Sequence, residues 1–204
     1  MSAKSTTLTP NVPRLLAIFL ALAFFLMSTS AWAIDGYKDR RGAFFGVGLG
    51  GGPGAVHVQD DAFTTGLDDG GQLGFHLNAI AGGGVTENIT FGAELNTWIR
   101  TVNVQGNSLN HQQWSLLAAS DFFLFEGFFV GAGLGLGYGF SDAASDGVQT
   151  RRYQEMGLAF KGTTGYEFFV NGTVAMGRRF SYTRHVYQEV DFDTFPGAFT
   201  FRWY

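Results

Sequence analysis

The sequence predicts an all-β chain, eight antiparallel strands in an up-and-down transmembrane barrel behind a cleaved signal peptide. Three observations predict it. Val130-Gly131-Ala132-Gly133-Leu134-Gly135-Leu136-Gly137-Tyr138-Gly139-Phe140 has glycine at every second position and apolar or aromatic residues between. Successive side chains of a strand point to opposite faces, so one face here is an unbroken apolar row and the other nearly bare backbone, with charge on neither. The same two-residue period recurs in seven further segments. The connections between the segments alternate between long and acidic and short.

The leader comes first. A polar stretch with Lys4 and Arg14 precedes an apolar run from Leu15 to Met27, followed by Ser28-Thr29-Ser30-Ala31-Trp32-Ala33. This is the pattern of a secretory signal with an A-x-A cleavage site. The run is too short to cross a bilayer as a helix, which takes about 20 residues. Residues 1–33 are read as signal peptide and 34–204 as one barrel domain. Removing Lys4 and Arg14 leaves eleven basic residues against seventeen acidic ones, a balance that disfavours nucleic acid as a partner. There is no cysteine, so disulfide scaffolds and thiolate metal sites are excluded.

The strands follow in order. In the first, Ala43 to Gly51, Ala43, Phe45, Val47 and Leu49 alternate with Phe44, Gly46, Gly48 and Gly50. The second sets Leu73, Phe75, Leu77, Ala79 and Ala81 against Gln72, Gly74, His76, Asn78 and Ile80. The third, Ile89 to about Thr101, sets Ile89, Phe91, Ala93, Leu95, Thr97 and Ile99 against Thr90, Gly92, Glu94, Asn96, Trp98 and Arg100. The fourth, Gln113 to about Phe123, carries Trp114, Leu116, Ala118 and Phe122 on one side and Ser115 and Asp121 on the other. The glycine ladder is the fifth. The sixth, about Gln154 to Glu167, opposes Met156, Leu158, Phe160 and Tyr166 to Gly157, Lys161, Thr163, Gly165 and Glu167. The seventh, Thr173 to Tyr182, loses its phase at Gly177-Arg178-Arg179, where one arginine faces lipid unless the strand bulges. The eighth has Phe195, Phe199, Phe201 and Trp203 against Thr200 and Arg202.

The long connections are expected at about 52–71, 102–111, 141–153 and 183–193. They hold Asp60, Asp61, Asp68, Asp69, Asp142, Asp146, Glu189, Asp191 and Asp193. The short ones fall near Gly83 to Asn88, Leu124 to Gly127 and Phe168 to Gly172. Short turns at one rim and long loops at the other are the pattern of a bacterial outer-membrane barrel. Hydrocarbon leaves no water for unpaired amides, so a sheet can span it only when closed. Two aromatic girdles are expected. Phe44, Phe45, Phe123, Phe125, Phe128, Tyr166, Phe168, Phe169, Trp203 and Tyr204 lie near the short-turn rim. Trp114, Tyr138, Phe140, Tyr182 and Phe195 lie near the long-loop rim.

With its leader, its alternating strands, its Gly-rich first and fifth strands and the ending Phe199-Thr200-Phe201-Arg202-Trp203-Tyr204, the chain resembles the OmpA/OmpX-like family of small outer-membrane β-barrel proteins. The resemblance covers the whole mature chain and implies architecture more than a shared site. It also implies that Phe199, Phe201, Trp203 and Tyr204 form the C-terminal signal for the barrel-assembly machinery. Tyr204 is one residue out of phase with the other three, so either it is tolerated or the signal's register is shifted.

No catalytic, cofactor or metal residue is assigned. Gly46-Val47-Gly48-Leu49-Gly50-Gly51 formally contains G-x-G-x-x-G, but Gly52-Pro53-Gly54 follows where a dinucleotide site opens a helix. Asn88-Ile89-Thr90 and Asn171-Gly172-Thr173 match a glycosylation pattern only incidentally. The candidate site is the inward polar set His76, Glu94, Arg100, Asp121, Lys161, Glu167, Arg179 and Arg202. An eight-stranded barrel is just wide enough for side chains to fill, and buried charges there must pair. With residues 82 and 89 opposed in the second turn, His76 lies beside Leu95, with Glu94 and Asn96 as its inward diagonal neighbours. A His–Glu pair is half of a hydrolytic triad, but Ser115 sits two strands away. The acidic loops invite a divalent cation but match no EF-hand. The two glycine walls, four strands apart, are expected to face each other and either leave room for His76, Glu94, Trp98, Arg100, Lys161 and Arg179 or leave a void that a ligand fills.

The expected protein is monomeric, lies in the bacterial outer membrane, carries no cofactor, and meets outer-membrane lipid and lipopolysaccharide. Its expected role is structural or surface-interacting through the acidic loops. A narrow pore or small hydrophobic-solute channel and a lipid-A-modifying enzyme are the alternatives.

Overall fold

A computed structural model describes residues 40–58, 72–104, 107–125, 127–145, 148–188 and 190–204. The leader expected at 1–33 and the aspartates at 60, 61, 68, 69 and 146 lie outside the described residues.

Nine β-segments form one antiparallel sheet: β1 (Gly42–Val58), β2 (Gln72–Thr86), β3 (Ile89–Val104), β4 (Asn107–Phe125), β5 (Phe128–Ser145), β6 (Val148–Phe169), β7 (Val174–Val186), β8 (Val190–Thr194) and β9 (Gly197–Trp203). From β1 to β7 each pairs with the next in sequence. The last two segments pair with β7 on one side and β1 on the other, so every segment has a hydrogen-bonded neighbour along both edges.

The nine segments replace eight expected strands because of Pro196. β8 and β9 keep one register on both sides: Gly54 with Thr194 and Gly51 with Gly197 on β1, Thr183 with Thr194 and Phe180 with Gly197 on β7. Between them Pro196 has no N–H to give, so its position contributes only the acceptor that Ser181 N reaches at 2.9 Å. Pro53 stands beside the same gap and likewise only accepts, from Phe195 N at 2.9 Å.

The expected long connections are corrected. β3 runs to Val104 and β4 starts at Asn107, β5 runs to Ser145 and β6 starts at Val148, and the stretch 183–193 holds the end of β7 and most of β8. Asp142, Asp191 and Asp193 therefore lie on strands. The sequence of these extensions keeps no sustained alternation of apolar and polar residues, so the ladder continues without an apolar period to announce it.

Burial alternates along the strands. Phe45, Leu49, Leu73, Phe91, Leu116, Leu134, Leu136, Leu158, Phe160 and Phe199 are exposed, while their described neighbours along each strand are buried or half-buried. Exposed large apolar residues thus occupy one face of the sheet and polar residues are enclosed on the other. β7 passes Gly177-Arg178-Arg179 without a register shift, which puts Arg179 on the buried face and Arg178 on the apolar one. The short turns are tight. Gly127 takes φ +91° between β4 and β5, a left-handed conformation that favours glycine, and its carbonyl accepts from Glu167 N at 2.9 Å.

Candidate functional site

The strand period carries the buried face through Asn78 on β2, Glu94 and Asn96 on β3, Asp121 on β4, Lys161 and Glu167 on β6, Arg179 on β7 and Arg202 on β9. Their side chains join into one network. Lys161 Nζ donates to Glu94 Oε1 at 2.6 Å and to Asn96 Oδ1 at 3.0 Å, and Asn78 Nδ2 donates to the same Glu94 oxygen at 2.9 Å. Arg179 links this group to the next, 3.7 Å from Glu94 and 2.6 Å from Asp121 Oδ2. Arg202 reaches the same Asp121 oxygen at 2.7 Å and stands 3.4 Å from Glu167. Arg40, just before β1, pairs with Glu167 at 3.2 Å and lies over the Phe123 ring.

The paired side chains on the strands are no more than 5% exposed. Burying ions costs several kcal/mol each, which mutual attraction offsets only with good geometry and additional hydrogen bonds. Here one carboxylate oxygen serves two guanidinium groups, and another serves a lysine and an amide.

Six of the eight residues singled out from sequence, Glu94, Asp121, Lys161, Glu167, Arg179 and Arg202, are joined in this way. Arg100 and His76 are buried as well. The Arg100 guanidinium lies 5.7 Å from the Trp98 ring centroid. His76 is opposite Trp98, not Leu95, and Glu94 is opposite Ile80. The expected register failed because β2 runs on to Thr86 and the chain turns at Glu87-Asn88, past an irregularity between Gly84 and Thr86. Ser115 Oγ and His76 Nδ1 have no hydrogen-bond partner among the described residues, so Ser115 and His76 are not bonded to each other.

Towards the long-loop side the filling becomes aromatic. Trp98 packs on Phe192 with ring centroids 5.2 Å apart, and His111 on Phe192 at 4.7 Å. Trp98 Nε1 donates to Gly52 O at 3.1 Å. Gln113 Nε2 contacts His111 Nε2 at 2.8 Å, His111 Nδ1 contacts the Ser141 hydroxyl, and the Tyr187 hydroxyl donates to Gln113. Tyr187 lies in the turn between β7 and β8. Burial, with Glu155 adding, pushes its phenol well above the usual range, so it stays a neutral donor.

Sequence reasoning missed this second cluster and Arg40. His111, His185, Tyr187 and Phe192 fell in expected loops, where facing could not be read, and Arg40 preceded any periodic segment.

The glycines receive these side chains. A Cβ on Gly48 would stand 1.9 Å from Asn78 Oδ1, on Gly74 2.2 Å from Trp98, on Gly131 2.4 Å from Asp121 and on Gly137 2.9 Å from His185. The aromatic residues of the short-turn rim divide by phase. Phe45, Phe125, Phe168 and Trp203 are exposed, whereas Phe44 and Phe123 are buried. Tyr204 turns to the buried side, where its hydroxyl donates to Glu167 at 2.7 Å and accepts from Arg202 at 3.1 Å, with Phe44 and Phe169 against its ring. Among the described residues no group of acids, histidines or cysteines could hold a metal ion.

No family model and no curated protein matches the chain. Solved structures do. Ail, the attachment invasion locus protein of Yersinia pestis, is similar at TM-score 0.57 and 15% identity over 79% of this chain and 99% of its own, both alone and in complex with the heparin analogue sucrose octasulfate. The outer membrane protein OprG from Pseudomonas aeruginosa is similar at TM-score 0.49 and 14% identity over 83% of this chain and 98% of its own. The likeness to Ail shows the fold: an all-β, antiparallel structure resembling small outer-membrane β-barrels.

Proposed function

We propose that this chain is an integral outer-membrane protein with a structural or surface-interaction role. In this reading β8 and β9 are one strand broken at Pro196, and eight strands close a barrel across the bilayer. The observation that carries it is the division of the two faces. The outer one is a wall of exposed Leu, Phe and Val, and the inner one is packed with paired ions and aromatic rings. Such a wall would aggregate in water and is satisfied by lipid.

The inner face supports a plug rather than a path. Lys161–Glu94 and Arg179–Asp121–Arg202 join residues of β3, β4, β6, β7 and β9, and the aromatic cluster lies on the long-loop side of them. Function then falls to the acidic segments of the long-loop rim, as loops commonly carry it. Outer-membrane lipid and lipopolysaccharide are the partners in this reading.

The barrel is a monomer assembled by the barrel-assembly machinery through Phe199, Phe201, Trp203 and Tyr204, after cleavage behind Ala33. Planar-bilayer recording of the purified protein tests the plug. No conductance steps are expected, and reproducible steps with solute uptake into liposomes would establish the pore instead. Lipid A of unchanged mass on overexpression is expected, and a modified lipid A would overturn the non-enzymatic role.

A further inference from the structure

One ion of the buried network is not held by the sheet. Glu94, Asp121, Lys161, Glu167, Arg179 and Arg202 stand on strands, whereas Arg40 precedes β1. The ladder of β1 with β2 opens at Gly42 opposite Gly84, and that with β9 at Phe45 opposite Trp203. Two glycines admit Arg40. Gly42 takes φ +99°, so the chain turns as it enters β1. A Cβ on Gly84 would stand 1.7 Å from the Arg40 carbonyl oxygen, an approach of two backbones that leaves no room for a side chain.

The seat of the guanidinium is a cage. Arg40 Nε donates to Glu167 Oε1 at 3.2 Å, and the guanidinium carbon lies 3.9 Å from the Phe123 ring centroid and 5.1 Å from that of Phe169. The Tyr204 ring packs on Phe169 and Phe44 beside it. A carboxylate with aromatic faces around it holds a planar cation by charge and by the ring quadrupoles together.

The cage is occupied by a group that can leave it cheaply. When Arg40 withdraws, Glu167 keeps Arg202 at 3.4 Å and the Tyr204 hydroxyl at 2.7 Å, so its carboxylate is not left bare. The departing guanidinium goes to water, and no ladder bond of β1 is broken. Withdrawing any of the strand ions instead would leave a buried charge uncompensated or pull a strand out of the sheet.

We propose that Arg40 is a latch: a tethered guanidinium that sits in the Glu167–Phe123–Phe169 cage and seals the enclosed face at the short-turn end. The seat is a guanidinium site, and a free guanidinium compound fills it when Arg40 is gone. Release of the latch admits water and small solutes to Glu167 and the ions behind it while the sheet stays intact. This rests on the reading in which eight strands close a barrel.

The chain has no cysteine, so one introduced thiol reports on the interior. Thr90, 1% exposed and opposite Asp121 in the ladder, carries the reporter as Thr90→Cys. Ser115→Cys, also at a buried position and further along β4 on the long-loop side of Asp121, is the control. The chain from residue 34 to residue 204 is folded in detergent micelles, checked by heat-sensitive gel mobility, and treated with a small cationic methanethiosulfonate. Thr90→Cys is expected to be nearly inert beside Arg40 and to react about tenfold faster or more with Arg40→Ala. Arg40→Lys, which keeps the charge but not the planar stack, should give an intermediate rate. Millimolar methylguanidinium should slow the Arg40→Ala reaction towards the wild-type rate, and sodium chloride at equal ionic strength should not; failure to slow it overturns the cage. Equal rates with and without Arg40 overturn the latch. So does an Arg40→Ala chain in which Ser115→Cys accelerates equally, which is general loosening, or one that no longer folds, which makes Arg40 part of the frame. A wild type without a folded form refutes the closed-barrel reading, whereas a folded protein indifferent to Arg40 refutes only the latch.

Discussion

Asp121→Asn removes one charge from the centre of the buried network while keeping the side chain's shape. Asp121 Oδ2 accepts from Arg179 at 2.6 Å and Arg202 at 2.7 Å, and all three side chains are at most 5% exposed. Taking one partner from a buried ion pair costs about 3–5 kcal/mol, because the remaining charge stays buried without compensation. Two guanidinium groups are affected, but each keeps a second carboxylate: Glu94 at 3.7 Å for Arg179 and Glu167 at 3.4 Å for Arg202. The expected loss is therefore that of one pair, about 3–5 kcal/mol, and not of two. Reversible urea unfolding in phospholipid vesicles, followed by tryptophan fluorescence, gives the number. A cycle with Arg202→Met should show a coupling of at least about 1 kcal/mol, as for residues in one network. A loss below about 1 kcal/mol with no coupling would refute the argument that these ions are held by one another.

Three further outcomes are expected in the same assay. Trp98→Ala should cost about 3–5 kcal/mol, since the ring is buried against Phe192 and its Nε1–H is bonded to Gly52; a loss under about 1 kcal/mol would mean that the aromatic cluster is loosely packed. Gly48→Ala should cost about 1–3 kcal/mol, because the new methyl meets Asn78 1.9 Å away and Asn78 in turn holds Glu94. Gly133→Ala, whose methyl meets only ordinary contacts from 3.4 Å outward, should stay within about 0.5 kcal/mol of wild type. Equal losses at the two glycines would separate the glycine pattern from side-chain accommodation.

What was legible in the sequence was whatever follows from a period of two. Phase alone assigned Glu94, Asp121, Lys161, Glu167 and Arg202 to the face opposite the leucines and phenylalanines, and phase does not depend on where a strand ends. Register does. The position of His76 depended on where one turn closes, and three residues of error at Glu87-Asn88 moved it from beside Leu95 to opposite Trp98. Strand ends were illegible for a physical reason: there the ladder is held by backbone bonds, as where Asn107 to Asn110 pair with Val104 to Thr101, and no side-chain alternation is required. The aromatic cluster was hidden for the same reason, since His111 and Phe192 come from those extensions. The phase of Arg178 and Arg179 was undecidable until the absence of a register shift assigned one to each face.

The bond between Asp121 and Arg202 joins residues 81 positions apart, one on β4 and the other on the last segment of the chain. It cannot form until β9 has docked between β7 and β1. Before that moment the interior holds Asp121 and Glu167 without the Arg202 guanidinium and the Tyr204 hydroxyl that complete them. An unfinished sheet therefore exposes an open edge and an incompletely compensated set of charges together, and the final eight residues, Gly197 to Tyr204, remove both in one step. Folding of the earlier strands is in this sense provisional, with the end of the chain supplying the chemical condition under which the rest becomes stable.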